Sequence, residues 1–189
     1  MTDLRRICVY AASSPGPSPA YVAAAADLGR TLAASGIGVV YGGGRAGLMG
    51  ALADATLAAG GEVTGIIPDF LDAREATHRG VTHLHVVGSM HERKTLMAER
   101  ADAFIALPGG IGTLEELVEA MTWWQLNLVP RPMGLLDVDG FWAPFTGLLD
   151  HLVAHGFMPQ RTRAMLREDT SAGGLLAQLQ EASVPPAPE

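Results

Sequence analysis

A chain of 189 residues with 48% hydrophobic and 17% charged side chains can bury a full core without disulfide or metal staples. Its formal net charge of −7 argues against a nucleic-acid or anionic-membrane surface, yet leaves room for a small anion at a local positive site. No apolar run reaches the roughly 18 residues of a membrane span, and the single cysteine, Cys8, permits no internal disulfide.

In chain order, Arg6 to Ala12 predicts a first strand, ending in Ser13-Ser14-Pro-Gly-Pro. Ser18 followed by Pro19 opens a helix that runs to about Ser35, before Gly36. Ile37 to Tyr41 is a second strand, then Gly42-Gly-Gly-Arg-Ala-Gly47 leads into a helix from about Leu48 to Ala59. Glu62 to Ile67 is a third strand, stopped by Pro68. The polar stretch Asp69 to Gly80 reads as a loop with room for one helical turn. Val81 to Val87 is a fourth strand, and Gly88-Ser89 opens a helix carrying Met90-His-Glu-Arg-Lys94.

Ala103 to Leu107 is apolar, too short for a helix and closed by Pro108, hence a buried strand. Glycines follow at 109, 110 and 112, and a helix is expected from Thr113 to about Leu128. Pro132 to Asp137 is a further strand, Asp139-Gly140 a turn, and Phe141 to His155 a helix. After Gly156, weaker helical pieces lead to Glu181, and Val184 to Glu189 is a proline-rich tail expected to fray. Strand alternating with helix predicts an α/β fold, a doubly wound parallel sheet with helices on both faces. We expect one domain over residues 1–183 and a disordered tail over 184–189.

In such sheets ligands sit beyond the carboxyl ends of the strands, where both glycine loops and the serines after the first strand fall. A strand, a glycine turn and a helix start at 103–116 bring free N–H groups and the positive end of a helix dipole to one point. That is an anion site. Thr113 stands where an N-cap is expected, and Glu116 three residues later has capping-box spacing. Glu116 therefore has two readings: a helix cap, or a carboxylate held beside a bound phosphate ester.

Gly42-x-Gly44-x-x-Gly47 matches the dinucleotide fingerprint, but it follows the second strand, and Glu62 starts the next strand instead of ending it. An NAD site is not expected. Met90, Arg93 and Met97 share a helical stripe, which places a guanidinium beside apolar residues and calls for a carboxylate or phosphate partner. His91 lacks metal-ligand spacing and reads as a surface side chain, as do His151 and His155. Trp123 and Trp124 belong to the core or to a subunit contact.

Pro108-Gly-Gly-Ile-Gly-Thr-Leu-Glu-Glu116 resembles the PGGxGTxxE motif of the LOG (Lonely Guy) family, the cytokinin riboside 5′-monophosphate phosphoribohydrolases. Met90-His-Glu-Arg-Lys94 is similar to that family's second motif, and the likeness spans Ile7 to about Leu179. Position 111, often aromatic in relatives, is Ile here. The resemblance implies a Rossmann-like homodimer that cleaves the N-glycosidic bond of adenosine 5′-monophosphate, or of an N6-substituted form. The products would be free base (cytokinin or adenine) and ribose 5-phosphate. By the same resemblance Arg93 and Glu116 match the catalytic pair, and Gly109, Gly110, Gly112 and Thr113 the phosphate loop. Ser14, Gly43, Gly44, Met90 and Lys94 would surround the nucleotide.

The implied chemistry is coherent: oxocarbenium charge at C1′ is stabilised by a nearby carboxylate that also orients water. Neither metal nor cofactor is expected. Relatives have carried the label lysine decarboxylase, but Lys94 is the one lysine among 13 basic residues, with no separate pyridoxal-phosphate motif near it. Nucleic acid and membrane are not expected partners, and the lone thiol suits a cytoplasmic location. The alternative is a non-catalytic nucleotide sensor or carrier on the same fold, against which the presence of both Glu116 and Arg93 weighs. No residue reads the base clearly.

Overall fold

The computed structural model describes residues 3–72 and 77–182. Its strands are β1 (Arg6–Tyr10), β2 (Gly38–Tyr41), β3 (Val63–Pro68), β4 (His83–Val87), β5 (Ala103–Ala106), β6 (Met133–Leu136) and β7 (Leu166–Asp169). The helices are α1 (Pro19–Ala34), α2 (Gly47–Ala58), a single turn α3 (Asp69–Asp72), α4 (Met90–Glu99), α5 (Ile111–Gln125), α6 (Ala143–Ala154), α7 (Gln160–Ala164) and α8 (Ala172–Glu181). All seven strands pair in parallel, in the order β4-β3-β2-β1-β5-β6-β7.

Period-2 side-chain alternation divides the core between the two faces. Ile7 and Val9 of β1 and Ala103 and Ile105 of β5 pack with residues of α1, α2 and α8 on one face. Cys8, Tyr10, Phe104 and Ala106 point the other way, into a core shared with α4, α5 and α6. Because both faces are covered, β5 is apolar along its whole length and β1 is apolar after Arg6, as parallel strands tend to be. Cys8 is wholly buried, and burial pushes its thiol well above the usual range, so it is an inert core group.

The strand order creates the site. From β1 the chain steps outward through β2, β3 and β4, then returns to start again at β5, on the other side of β1. The loops leaving β1 and β5 therefore part in opposite directions and open a crevice at their carboxyl ends.

Two expectations are corrected. The stretch expected to carry only weak helical pieces contains β7, which pairs with β6 from Leu166↔Met133 to Asp169↔Leu136. It is a short edge strand with one buried residue and two exposed charged ones, so it has no apolar alternation to read. The second correction concerns Thr113. The cap of α5 is Gly110, in extended conformation and without a side-chain hydrogen bond, and the helix starts at Ile111. Thr113 lies buried in the first turn, its side chain against Gly109, where any Cβ would collide with it. Glu116 thus falls in the second turn and belongs to no capping box.

A capping arrangement of that kind occurs instead on α4. The Ser89 hydroxyl accepts from the Glu92 N–H at 3.1 Å, and the Glu92 carboxylate accepts from the Gly88 N–H at 2.8 Å. The expected tail at 184–189 lies outside the described residues.

Candidate active site

A cavity of about 350 Å³ opens in the crevice between β1 and β5, a size suited to a small organic ligand. Two loops and three helices wall it. The loop after β1 supplies Ala12, Ser13 and Ser14; the loop after β2 supplies Gly42; and the start of α5 supplies Gly110, Ile111, Gly112 and Thr113. Met49 of α2, Met90 and Arg93 of α4, and Glu115 and Glu116 of α5 complete the wall. Gly47, at φ 61°, lets α2 begin hard against the backbone of Ser13 and Ser14, where a Cβ would not fit.

The glycines at the start of α5 divide into two kinds. At Gly109 the Thr113 side chain already fills the space of a Cβ. At Gly110 and Gly112 nothing lies within 4 Å of one, yet both border the cavity. The fold has no steric need for glycine at these two positions; room for a ligand against the backbone is the remaining reason. Here the first-turn N–H groups of α5 lack intrahelical partners and the positive end of its dipole meets the cavity, so this wall suits an anion.

Arg93 is buried on the opposite wall, at 8% exposure. Its Nε donates to the Ile66 carbonyl at 3.2 Å and one terminal nitrogen donates to the Gly42 carbonyl at 3.1 Å. A Cβ at Gly42 would run into the guanidinium, so this glycine holds the arginine's place. The other terminal nitrogen stands 3.9 Å from a carboxylate oxygen of Glu116, whose side chain is only 11% exposed. Burial raises the Glu116 pKa from 4.5 to about 7, an effect that the Arg93 charge offsets only in part and that Glu115 adds to. At neutral pH the pocket therefore holds a carboxyl poised between its two forms, beside a fixed cation.

A family profile described as "Possible lysine decarboxylase" matches residues 49–179. The chain is 48% identical over 177 residues to the rice (Oryza sativa subsp. japonica) cytokinin riboside 5′-monophosphate phosphoribohydrolase LOG, spanning 94% of this chain and 73% of that protein. The chain belongs to the LOG family. A bacterial LOG relative, the cytokinin riboside 5′-monophosphate phosphoribohydrolase of Rhodococcoides fascians, is 45% identical over 85% of this chain and 81% of its own length. Among solved structures the molybdenum cofactor carrier protein of Chlamydomonas reinhardtii superposes with a TM-score of 0.72 over 94% of this chain and 96% of the other. At 19% identity it shares the fold.

Of the residues that the LOG resemblance singles out, the structure brings Ser14, Met90, Arg93, Gly110, Gly112, Thr113 and Glu116 to one cavity. Gly109 lies one step behind, on an adjoining cleft between Pro15, Tyr21 and Phe141. Gly43 and Gly44 turn away from it. Gly43 packs against Ile67 and its carbonyl accepts from the His78 N–H, while Gly44 bridges to Thr77. Lys94 is not in the cavity wall either, its ammonium lying 2.5 Å from Glu115 and 2.8 Å from Glu119. Burial pulls the lysine pKa down, but hydrogen bonds to those two carboxylates outweigh it and hold the pKa above the ordinary lysine value. Such an amine is unsuited to a Schiff base, which needs the neutral form.

Ser13, Met49 and Glu115 are assigned no role by the motifs and Gly42 appears only in the dinucleotide fingerprint, though all four line the cavity. Gly42 had a readable signal, since it directly follows the last residue of a strand. Glu115 had none beyond its neighbour. His91 is exposed, and the rings of His151 and His155 lie 4.0 Å apart on the exposed end of α6. No group of three or more potential metal ligands occurs among the described residues.

Proposed function

We propose that this LOG-family protein hydrolyses the N-glycosidic bond of adenosine 5′-monophosphate or an N6-substituted form, releasing the free base and ribose 5-phosphate. The observation that carries the reading is Glu116, buried and paired across 3.9 Å with a fixed Arg93, in the wall of the same cavity as the anion-suited start of α5. The relatives' names supply the substrate class: at 44–48% identity they are cytokinin riboside 5′-monophosphate phosphoribohydrolases.

In this reading the 5′-phosphate rests on the amides of the α5 start and so fixes the ribose. As the C1′–N9 bond breaks, its electron pair leaves with the base, which takes up a proton from solvent, to which Glu116 afterwards returns the one it accepts from water. The growing positive charge at C1′ is stabilised by the Glu116 carboxylate. Water adds to C1′ and gives its proton to Glu116, which a pKa near 7 allows. Arg93 keeps its proton throughout, so it orients Glu116 and the ribose and does not act as an acid.

A homodimer is part of the proposal. Ile111, Val118 and Leu126 are exposed along one side of α5, and Leu128 is exposed beside them. Leu128 also lines a groove in which Ala98, Trp123 and Val129 stand beside the polar Thr95, Glu99 and Arg131. A stripe of this kind, starting at the cavity mouth, suits contact with a second copy. We also assign the protein to the cytoplasm, where its lone buried thiol and a nucleotide substrate are at home. No helix among the described residues is long and apolar enough to cross a membrane.

The test is a panel of AMP, N6-isopentenyl-AMP, adenosine and ATP assayed for free base. Monophosphates should react, with the nucleoside and triphosphate far poorer. Equal turnover of adenosine and AMP would refute the phosphate assignment, and tight AMP binding with no base release would favour a carrier.

A further inference from the structure

Two adjacent cations on α4 face adjacent acids on α5, and they divide them. Arg93 faces Glu116, whereas Lys94 reaches Glu115 and Glu119, which stand one turn apart on α5. Lys94 is nearly as enclosed as Arg93, with 11% of its side chain exposed, so its ammonium cannot swing to a ligand without abandoning both carboxylates. Glu115 has a different freedom, since it lines the cavity next to Glu116.

Resting on the phosphoribohydrolase reading, we propose that Lys94 is a positioning residue. It holds Glu115 and Glu119 to itself, so that Glu116 meets the substrate beside Arg93 and not beside two free carboxylates. The role differs from that of a nucleotide ligand, which position 94 would have by resemblance alone. The groups facing Glu116 are Arg93 and Lys94 from α4, Glu115 and Glu119 from α5, and the buried, neutral Cys8 and Tyr10 from β1. Both flanking carboxylates raise the proton affinity of Glu116, while Lys94 and Arg93 lower it. Removing the lysine charge deletes one favourable neighbour and unmasks two unfavourable ones. Glu116 should then keep its proton to higher pH.

Lys94→Met keeps the stem and removes the charge. Its Glu116 carboxyl, followed by carbon-13 NMR through a pH titration without substrate, should titrate higher than the parent's by roughly half to one pH unit. The acid limb of kcat/KM for AMP should move in the same direction and by a similar amount. KM above that limb should change by less than about threefold, because no phosphate contact is lost. Lys94→Arg should restore the parental titration. The double variant Lys94→Met/Glu115→Gln should recover part of it.

Glu119→Gln is the companion variant should Lys94→Met not fold. It removes one of the acids and should lower the Glu116 titration below the parent's. A Lys94→Met protein whose Glu116 titrates as in the parent while KM rises tenfold or more would make Lys94 a substrate ligand and overturn the proposal. A lowered melting temperature with unmoved titration would reduce it to a structural ion pair and overturn it equally. Because the NMR titration needs no turnover, a parent inactive on every nucleotide would refute the hydrolase reading while this proposal still receives its own answer.

Discussion

Glu116 carries a cost that can be measured apart from catalysis. Its carboxyl binds a proton more tightly in the folded protein, near pH 7, than in the unfolded chain, near 4.5. A group of this kind contributes fully to stability below the unfolded value, and its contribution is lost as pH rises through the folded one. The displacement corresponds to about 3 kcal/mol. Glu116→Gln has no such loss, since its amide does not titrate. Urea denaturation of the two proteins should therefore show the variant gaining on the parent between pH 5 and pH 8, by an amount on the order of 3 kcal/mol. A gap that does not change with pH would mean that Glu116 titrates as an exposed carboxylate. The motif identified this residue, but its spacing from Thr113 equally suggested a helix cap. Only the start of α5 at Ile111 separates the two readings.

At the scale of elements, the strands and long helices were legible because their apolar patterns are long and their punctuation is strong. Ser18-Pro19 at the head of α1 is an example: the Ser18 hydroxyl accepts from the Ala20 N–H as its position predicts. Short signals failed. β7 carries too few apolar residues to alternate, and Thr-x-x-Glu at 113–116 is no capping box because α5 begins at Ile111, whereas Ser-x-x-Glu at 89–92 does sit at the head of its helix. Glycine in a motif is equally ambiguous in sequence, since the same letter can serve the fold or the ligand. The structure separates them into a prediction. Gly112→Ala meets no neighbour and replaces a helical glycine, so it should fold at least as well as the parent, gaining up to about 1 kcal/mol. Its affinity for AMP should fall about tenfold or more, as the methyl group enters the ligand's space. Gly42→Ala should displace Arg93, costing about 1–3 kcal/mol of stability together with turnover. Calorimetry for AMP binding and thermal melts of both variants check the pair; equal behaviour would contradict the division.

For the whole molecule, the strand order decides where chemistry is possible, because the chain reverses its winding once, between β4 and β5, and leaves one crevice beside β1. Sequence could place the loops on that edge but could not say which of them would meet. Gly43 and Gly44 belong to the same loop as Gly42, yet only Gly42 reaches the cavity. Lys94 follows Arg93 directly, yet the helix turns it to a different pair of acids. The outer surface leads to an assembly prediction. Val118→Glu/Leu126→Glu should convert a dimeric parent to a monomer in light scattering at micromolar concentration, since like charges would face each other across a two-fold contact. A parent of monomeric mass would remove the dimer from the proposal.

The most direct measurement takes the parent and Glu116→Gln side by side at pH 8 with N6-isopentenyl-AMP, recording free base release and nucleotide affinity on the same samples. The predicted result is base release by the parent, a loss of roughly a hundredfold or more in the variant, and affinity nearly unchanged, because the phosphate contacts remain. A variant that releases base at the parental rate would contradict the assignment of Glu116 as the charge that stabilises the breaking bond.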